Sequence, residues 1–160
     1  MKLSIIIPIY NEVESIREIV KRVQDTKLAW EIILVDDNSV DGTRNLLKEM
    51  DGKKNIRVIL KDKNEGKGSA VRTGLAAAKG DILLIQDADL EYDPNEYPNL
   101  LKPIISGNAD VVYGSRFITG SSRRIHLFRH YIGNRFLTFL SNIFSNYNLS
   151  DMETCYKVFK

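Results

Sequence analysis

The sequence predicts an α/β domain in which helices cover both faces of a mostly parallel central sheet. Short apolar runs alternate with helical patterns along residues 1–113, the order expected of repeated strand–helix–strand units. The runs are dense in Ile, Val and Leu, as in strands that are buried on both faces. Polar clusters follow three of the runs, and ligands of parallel sheets bind beyond the carboxyl ends of the strands. The same pattern therefore predicts the fold and the edge that carries the site.

The strands are predicted from the apolar runs, which are short and bounded by turn residues. They cover residues 3–9, 31–35, 56–60, 82–85, 110–113 and 154–159. A helical pattern follows each of the first four strands. Asn11 and Asp41 are the predicted N-caps of the first two helices, because Asn and Asp side chains accept hydrogen bonds from the first turn. The other helices are predicted over residues 69–79, 94–105 and 126–145.

The composition is that of one globular domain. The chain has 160 residues, 43% of them hydrophobic, and a formal net charge of +2, so bulk charge does not indicate a nucleic-acid partner. Residues 116–135 hold five arginines, two histidines and no acid, and form a local basic segment. Cys155 has no partner for a disulfide and is expected to be a small buried residue in a reducing compartment. No run reaches the ~20 apolar residues of a membrane span, so membrane contact is expected to be peripheral or through sequence beyond residue 160.

Four acids at alternate positions follow the fourth strand, in the stretch "IQDADLEYDP". Carboxylates grouped in this way repel each other unless a cation lies among them, and the Asp87-Ala88-Asp89 pair is the outline of a Mg²⁺ or Mn²⁺ site. The alternative is a solvated acidic loop. Asp93 stands directly before Pro94 and is predicted to cap the next helix.

The predicted edge also carries the polar clusters of residues 10–12 and 36–39, and a separate Gly-rich loop is a further candidate for ligand contact. In "VDDNSVDGT", Asp36 or Asp37 is a candidate acceptor for a base N–H or a ribose hydroxyl, although these residues are also typical of a turn with a helix cap. "NEGKGSAVRTG" is Gly-rich and basic, but it lacks the spacing of a P-loop or of a dinucleotide fingerprint. Its Lys67 and Arg72 are candidates for contact with phosphate.

His126 and His130 share a helical face, which raises the alternative of a zinc site. No Glu stands between them in an H-E-x-x-H arrangement, so interfacial or surface histidines are the favoured interpretation.

Taken together, five segments resemble family 2 of the glycosyltransferases, with the Rossmann-like GT-A fold, and within it the dolichyl- and polyprenyl-phosphate sugar transferases. They are "SIIIPIYNE", "EIILVDDNSVDGT", "NEGKGSAVRTGLAAAKGDILLIQDADLEYDP", "DVVYGSRF" and "DMETCYKVF". The resemblance implies a GT-A catalytic domain over residues 1–160, the N-terminal part of a longer chain, with an acceptor-side segment over residues 115–160. Relatives carry "SGF" where this chain has "ETCYK".

The resemblance also implies roles for individual residues. The residues implied to bind the donor nucleotide are Pro8, Tyr10, Glu12, Asp36, Asp37, Lys67, Asp87 and Ala88. Those implied to hold a Mg²⁺ or Mn²⁺ ion are Asp87, Asp89 and Glu91. Those implied to act in catalysis are Asp89, Arg116, Arg129 and Asp151.

The implied reaction is the inverting transfer of mannose or glucose from a GDP-mannose or UDP-glucose type of donor to a lipid phosphate, at the cytoplasmic face of a membrane. A lipid phosphate is already anionic, so arginines matter more than a base. If the acceptor is instead a sugar hydroxyl of a polysaccharide or glycolipid, Asp151 or Glu153 is the candidate base.

Two readings from other classes remain open at this point. A haloacid-dehalogenase-type phosphatase also uses D-x-D after a strand, but there the motif follows the first strand and Thr or Val stands where this chain has Glu91. A non-enzymatic domain that binds nucleotide-sugars is the other alternative.

Overall fold

The computed structural model describes residues 1–115 and 128–160, with the side chains of residues 128–130 left undescribed. Its strands are β1 (Leu3–Ile9), β2 (Glu31–Asp36), β3 (Ile56–Leu60), β4 (Ile82–Ile85), β5 (Val111–Tyr113) and β6 (Lys157–Phe159). Its helices are α1 (Ile16–Asp25), α2 (Thr43–Met50), α3 (Lys67–Ala77), α4 (Tyr97–Ile105) and α5 (Phe128–Ser145). A single 3-10 turn, Pro94–Glu96, leads into α4.

The six strands form one sheet in the order β3-β2-β1-β4-β6-β5. β1 pairs in parallel with β2 and with β4, and β2 pairs in parallel with β3. β6 runs antiparallel to both of its neighbours, β4 and β5. The carboxyl ends of β1, β2 and β4 therefore meet at the edge of the sheet where β6 begins.

Helices cover both faces of the sheet, as predicted. The larger core cluster joins Ile5, Ile7 and Ile9 of β1 to apolar residues of α1, α2 and α4. The smaller cluster lies on the other face, where Ile6 packs with Ala70 of α3. This alternation follows from the two-residue period of a strand, which sends successive side chains to opposite faces.

The strand predictions for residues 3–9, 56–60 and 82–85 agree with the structure to the residue, whereas helix starts differ. α1 begins at Ile16 and not at Asn11, because Asn11 takes a left-handed conformation (φ 57°) and its side chain accepts a hydrogen bond from Val40 N–H at 2.9 Å. The Asp41 carboxylate accepts from Thr43 N–H at 3.0 Å, as expected, but Gly42 is the N-cap of α2. Asp93 caps the turn before α4 by accepting from Asn95 N–H, which confirms that prediction.

α5 buries its polar side and exposes its apolar side. Asn134 and Thr138 are buried, while Phe136, Phe139 and Phe144 are 59%, 60% and 86% exposed. Within the described part of the chain, no helix has the length and apolarity needed to cross a bilayer. His126 and the side chain of His130 lie outside the description, and so does the zinc alternative that rests on them.

Candidate active site

A cavity of about 280 Å³ opens where β1, β2 and β4 end. Seven of the eight residues expected to bind the donor nucleotide line it, together with Asp89. The seven are Pro8, Tyr10, Glu12, Asp37, Lys67, Asp87 and Ala88. Residues from four separate segments of the chain thus meet in one place, because parallel strands bring their carboxyl ends to the same edge.

Lys67 and Asp87 form an ion pair across this cavity. The Lys67 Nζ lies 2.6 Å from Asp87 Oδ1 and 2.7 Å from Oδ2. Lys67 is the first residue of α3, which begins two residues earlier than predicted, after Gly66 at φ 86°. Partial burial acts to lower the pKa of Lys67, but the hydrogen bond and charge of Asp87 outweigh it and raise that pKa. The pair places a positive charge directly beside the first acid of the D-x-D motif.

Asp89 is the second carboxylate of the motif and also lines the cavity. Its Oδ1 accepts a hydrogen bond from Glu91 N–H at 3.0 Å. Partial burial, with the nearby charges of Asp87 and Glu91, raises the pKa of Asp89. A cation bound here would reverse that effect, because it favours the ionised form.

Glu91 is exposed and does not line the cavity. Among the side chains that the structure describes, no three of His, Cys, Asp or Glu are grouped so as to hold a metal ion. Of the three residues expected to hold the metal, Asp87 and Asp89 are therefore the two that line the cavity. Two carboxylates suffice for Mg²⁺ in many phosphate-binding sites, where substrate oxygens and water supply the other ligands.

Asp36 does not line the cavity, and its carboxylate forms hydrogen bonds elsewhere. It is fully buried, and its carboxylate accepts from the backbone N–H groups of Asn38 and Ser39 and from Arg44 Nη1 at 3.0 Å. Arg44 also donates to the carbonyl of Lys61 at 2.8 Å. Asp36 thus ties the end of β2 to the loop that follows β3, and of the two neighbouring acids only Asp37 reaches the cavity.

Asp37 forms hydrogen bonds to both ends of the loop between β3 and α3. Lys61 Nζ donates to its Oδ1 at 2.5 Å, and Gly66 N–H donates to its Oδ2 at 2.6 Å. Burial acts to raise the pKa of Asp37, but the hydrogen bonds from Lys61 and from the backbone of Glu65 and Gly66 outweigh it and hold that pKa below its usual range. Lys61, which the sequence analysis missed, also contacts Ser69 at 2.8 Å. Lys61 also pairs with the exposed Glu65 at 2.9 Å, but its buried partner, Asp37, lies 24 residues earlier in the chain, so no local motif marks this lysine.

A buried network of hydrogen bonds includes Gln86 and Asp87, the two residues that directly follow β4. Tyr97 and Tyr156 each donate a phenolic hydrogen bond to Gln86 Oε1, at 2.7 and 3.0 Å. The Gln86 side-chain amide in turn donates to the carbonyl oxygen of Asp87 at 2.9 Å. Burial raises the pKa of both tyrosines above the usual range, so they stay protonated donors. The only sequence signal for this network is a polar residue directly after the apolar run of β4.

The expected acceptor-side residues lie elsewhere or outside the description. Asp151 is 1% exposed and accepts from Asn134 Nδ2 at 3.0 Å, and Asn134 also donates to Glu153 at 2.7 Å. Asp151 does not line the cavity. Arg116 lies outside the described residues, and Arg129 lies in α5 with its side chain outside the description.

Solved structures share the fold of this chain. Glucosyl-3-phosphoglycerate synthase from Mycobacterium tuberculosis, solved with Mn²⁺, UDP and phosphoglyceric acid, aligns with a TM-score of 0.74 over 99% of this chain and 55% of that one, at 19% identity. At this identity the likeness shows the fold alone, and it confirms the predicted GT-A architecture.

Two curated relatives are closer in sequence. The chain is 39% identical over 122 residues to the dolichol-phosphate mannosyltransferase of Pyrococcus furiosus, an alignment that covers 75% of this chain and 34% of that protein. It is 38% identical over 133 residues to the undecaprenyl-phosphate 4-deoxy-4-formamido-L-arabinose transferase of Pectobacterium carotovorum, covering 79% of this chain and 39% of that protein. The chain thus spans little more than a third of the length of these relatives.

The family assignment covers more of the chain than either relative. The family model for glycosyl transferase family 2 matches residues 4–160, which include every residue that lines the cavity. The chain therefore belongs to glycosyl transferase family 2.

Proposed function

We propose that the protein is an inverting glycosyltransferase that moves a hexose from a nucleotide-sugar to a polyprenyl or dolichyl phosphate. The observation that carries this proposal is the cavity at the carboxyl edge of the sheet, lined by the Asp87–Lys67 pair and by Asp89. A diphosphate needs both signs of charge nearby: a lysine for its own oxygens, and acids that hold a cation. Both curated relatives are named for transfer involving a lipid phosphate, which supports the same acceptor class.

The nucleoside end of the donor fits between the end of β1 and the loop that precedes α3. Tyr10 is 48% exposed, so its ring is free to contact a base. Asp37 is held ionised and hence serves only as a hydrogen-bond acceptor, the role that a base N–H or a ribose hydroxyl requires. UDP-glucose and GDP-mannose are the donor types to be tested.

Asp87 and Asp89 would hold a divalent cation, Mg²⁺ or Mn²⁺, which would neutralise charge on the departing nucleoside diphosphate. Both side chains line the cavity, and carboxylate oxygens are the ligands that these ions prefer. The M. tuberculosis synthase, which shares the fold, was solved with Mn²⁺ and UDP.

The protein's own residues contribute to the transfer by their position and their charge. Lys67 supplies a cation beside Asp87, where a diphosphate would lie. The Gln86 network fixes the backbone of the D-x-D motif, so the two carboxylates are held in place before the donor arrives. Inversion then requires in-line placement of the acceptor oxygen, and a phosphate oxygen needs no strong base. Asp151, which is buried and bound to Asn134, would act by positioning in such a reaction.

The exposed face of α5 supports a lipid acceptor. Residues 111–150 contain five arginines and no Asp or Glu, and the exposed residues of α5 include Phe136, Phe139 and Phe144 together with Arg135. Apolar side chains beside arginines are typical of helices that lie in the interface of an anionic membrane.

A transfer assay tests the proposal. Radiolabelled GDP-mannose and UDP-glucose are supplied separately, with Mn²⁺ and either a polyprenyl phosphate in vesicles or a soluble oligosaccharide. We expect label in the lipid-extractable fraction with one donor, and none with Asp89→Asn. Label only in the oligosaccharide would assign a hydroxyl acceptor instead, and release of free sugar alone would contradict the transferase proposal.

A further inference from the structure

Lys157, the first residue of β6, carries an ammonium group that forms no ion pair with a carboxylate of the described residues. Among the described residues its Nζ contacts the carbonyl oxygen of Thr154 and lies 5.3 Å from the centre of the Tyr113 ring. The other two lysines near the site differ, because Lys61 is paired with Asp37 and Lys67 with Asp87. Lys157 is half-buried, and a half-buried cation without a counter-ion is costly unless a ligand supplies the negative charge.

The sheet places this lysine at the ligand-binding edge. Because β6 is antiparallel, its first residue lies where β4 and β5 end, directly across from Ile85 and Tyr113. Ile85 stands two residues before Asp87. The donor cavity is built from the β1 and β2 side of β4, and Lys157 is not among its lining residues. Lys157 therefore lies on the opposite side of β4 from the donor cavity.

Charged residues from both the cavity and the segment before β6 act on Lys157. Partial burial is the main cause that lowers the pKa of Lys157, and the neighbouring charge of Lys67 acts in the same direction. The carboxylates of Asp87 and Asp151 act in the opposite direction. Lys157 is thus within electrostatic reach of the donor-side acid Asp87 and of the buried acceptor-side acid Asp151, yet forms an ion pair with neither.

We propose that Lys157 binds the phosphate group of the acceptor. This inference rests on the proposed function, in which a phosphate oxygen attacks the sugar. An inverting transfer needs the acceptor oxygen and the departing diphosphate on opposite sides of the sugar carbon. Lys157 at the start of β6 and the cavity at the ends of β1 and β2 lie on the two sides of the end of β4, so a phosphate on Lys157 would approach from the side opposite the diphosphate. The ligand class is a phosphate monoester, carried either by a lipid or by a soluble compound.

Binding measurements on the full-length protein test the inference. The variants are Lys157→Met, which keeps the apolar stem, and Lys157→Arg, which keeps the charge. Lys160→Met, one residue beyond β6, is the control, since Lys160 is exposed and its Nζ lies 3.7 Å from the exposed Asp110 carboxylate. The probes are farnesyl phosphate, 3-phosphoglycerate and farnesol, titrated by calorimetry, with UDP and GDP plus Mn²⁺ as donor-side probes.

We expect Lys157→Met to weaken binding of the phosphate probe by a factor on the order of ten or more, the usual scale for a lost charge-assisted contact. Lys157→Arg and Lys160→Met should bind it nearly as the unmodified protein does, and nucleotide affinity should be unchanged in all three. Farnesol should not bind, which would show that the phosphate is what Lys157 recognises. Preference for farnesyl phosphate identifies a lipid source, and preference for 3-phosphoglycerate identifies a soluble one.

Equal affinity of Lys157→Met and the unmodified protein for the phosphate probe would overturn the inference, provided that both melt cooperatively at similar temperatures. A parallel loss of nucleotide affinity in Lys157→Met would also overturn it, by assigning the lysine to the donor. If nucleotide binds normally but neither phosphate binds to the unmodified protein, the acceptor class itself is wrong. If no nucleotide binds either, the proposed function fails as a whole.

Discussion

Two adjacent aspartates, Asp36 and Asp37, show how much a single side-chain direction decides. Asp36 is the last residue of β2 and Asp37 follows it, and both are buried, but only Asp37 reaches the cavity. Successive residues of an extended chain point to opposite sides, so one carboxylate meets Arg44 and the other meets Lys61. The sequence left the choice open because "VDD" does not reveal which acid faces the ligand edge.

Asp36→Ala should destabilise the fold strongly. The change leaves Arg44 and two backbone N–H groups without their buried acceptor, and loss of one partner of a buried pair costs about 3 kcal/mol or more. Chemical denaturation measures the effect. Glu49→Ala is the control, since it breaks the exposed Arg17–Glu49 pair at 2.8 Å and should cost under about 1 kcal/mol. Similar losses for the two variants would show that Asp36 has no structural role.

The Asp37–Lys61 pair predicts a loss of stability in acid. Because the folded pKa of Asp37 lies below its unfolded value of about 3.9, the pair stabilises the fold above that pH and loses its effect as the pH falls through the folded pKa. Lys61→Met should therefore lower the melting temperature at neutral pH, and the gap to the unmodified protein should narrow below about pH 4. A gap that stays constant in acid would contradict this account.

At the scale of elements, three strands were predicted to the residue from short apolar runs. They are β1, β3 and β4. Helix starts were predicted less well, because polar loops offer several candidate caps and tertiary hydrogen bonds select among them. Asn11, which bonds Val40 and not the first turn of α1, is the clearest case. β6 starts at Lys157 and not at residue 154, since Cys155 N–H bonds the Tyr92 hydroxyl outside the sheet.

α3 packs closely on the sheet through Gly74. A Cβ at this position would lie 2.4 Å from Ile6 Cγ2 and 3.3 Å from Val35 Cγ2. Gly74→Val should therefore cost roughly 1–3 kcal/mol in unfolding free energy, as overpacking usually does. Gly68→Ala in the same helix is the matched control, because its Cβ would make only an ordinary contact at 3.8 Å with Arg72. Unfolding midpoints that fall equally in the two variants would argue against close packing at Gly74.

The reversed polarity of α5 predicts membrane binding through its apolar side. Phe136, Phe139 and Phe144 are changed together to Ser, and flotation is measured with anionic and with zwitterionic vesicles. The unmodified protein should float with anionic vesicles, less so at high salt, and the triple variant should not. Val40→Ser is the control, since Val40 is 81% exposed and lies outside α5. Equal flotation of the triple variant would exclude this face as the contact.

For the whole molecule, the sequence indicated the site because three loops with distinct chemistry were expected at one edge. Pro8, Asp37, Lys67 and Asp87 do line one cavity. The supporting residues were not predictable, because Lys61, Gln86 and Lys157 act through partners that are distant in sequence or lie on another strand. Pairing of strands β4 and β6, about 70 residues apart, brings Lys157 beside the end of β4, and no local motif shows this.

The central claim is that the carboxylates beyond β4 bind a nucleoside diphosphate together with a divalent cation. Calorimetric titration of UDP and of GDP, with Mn²⁺ and with the metal chelated, tests it most directly in the unmodified protein and in Asp89→Asn. We predict that one nucleotide binds with an affinity that falls when Mn²⁺ is removed, and that Asp89→Asn loses this dependence while melting as the unmodified protein does. The same metal-dependent affinity in a folded Asp89→Asn variant would contradict the claim.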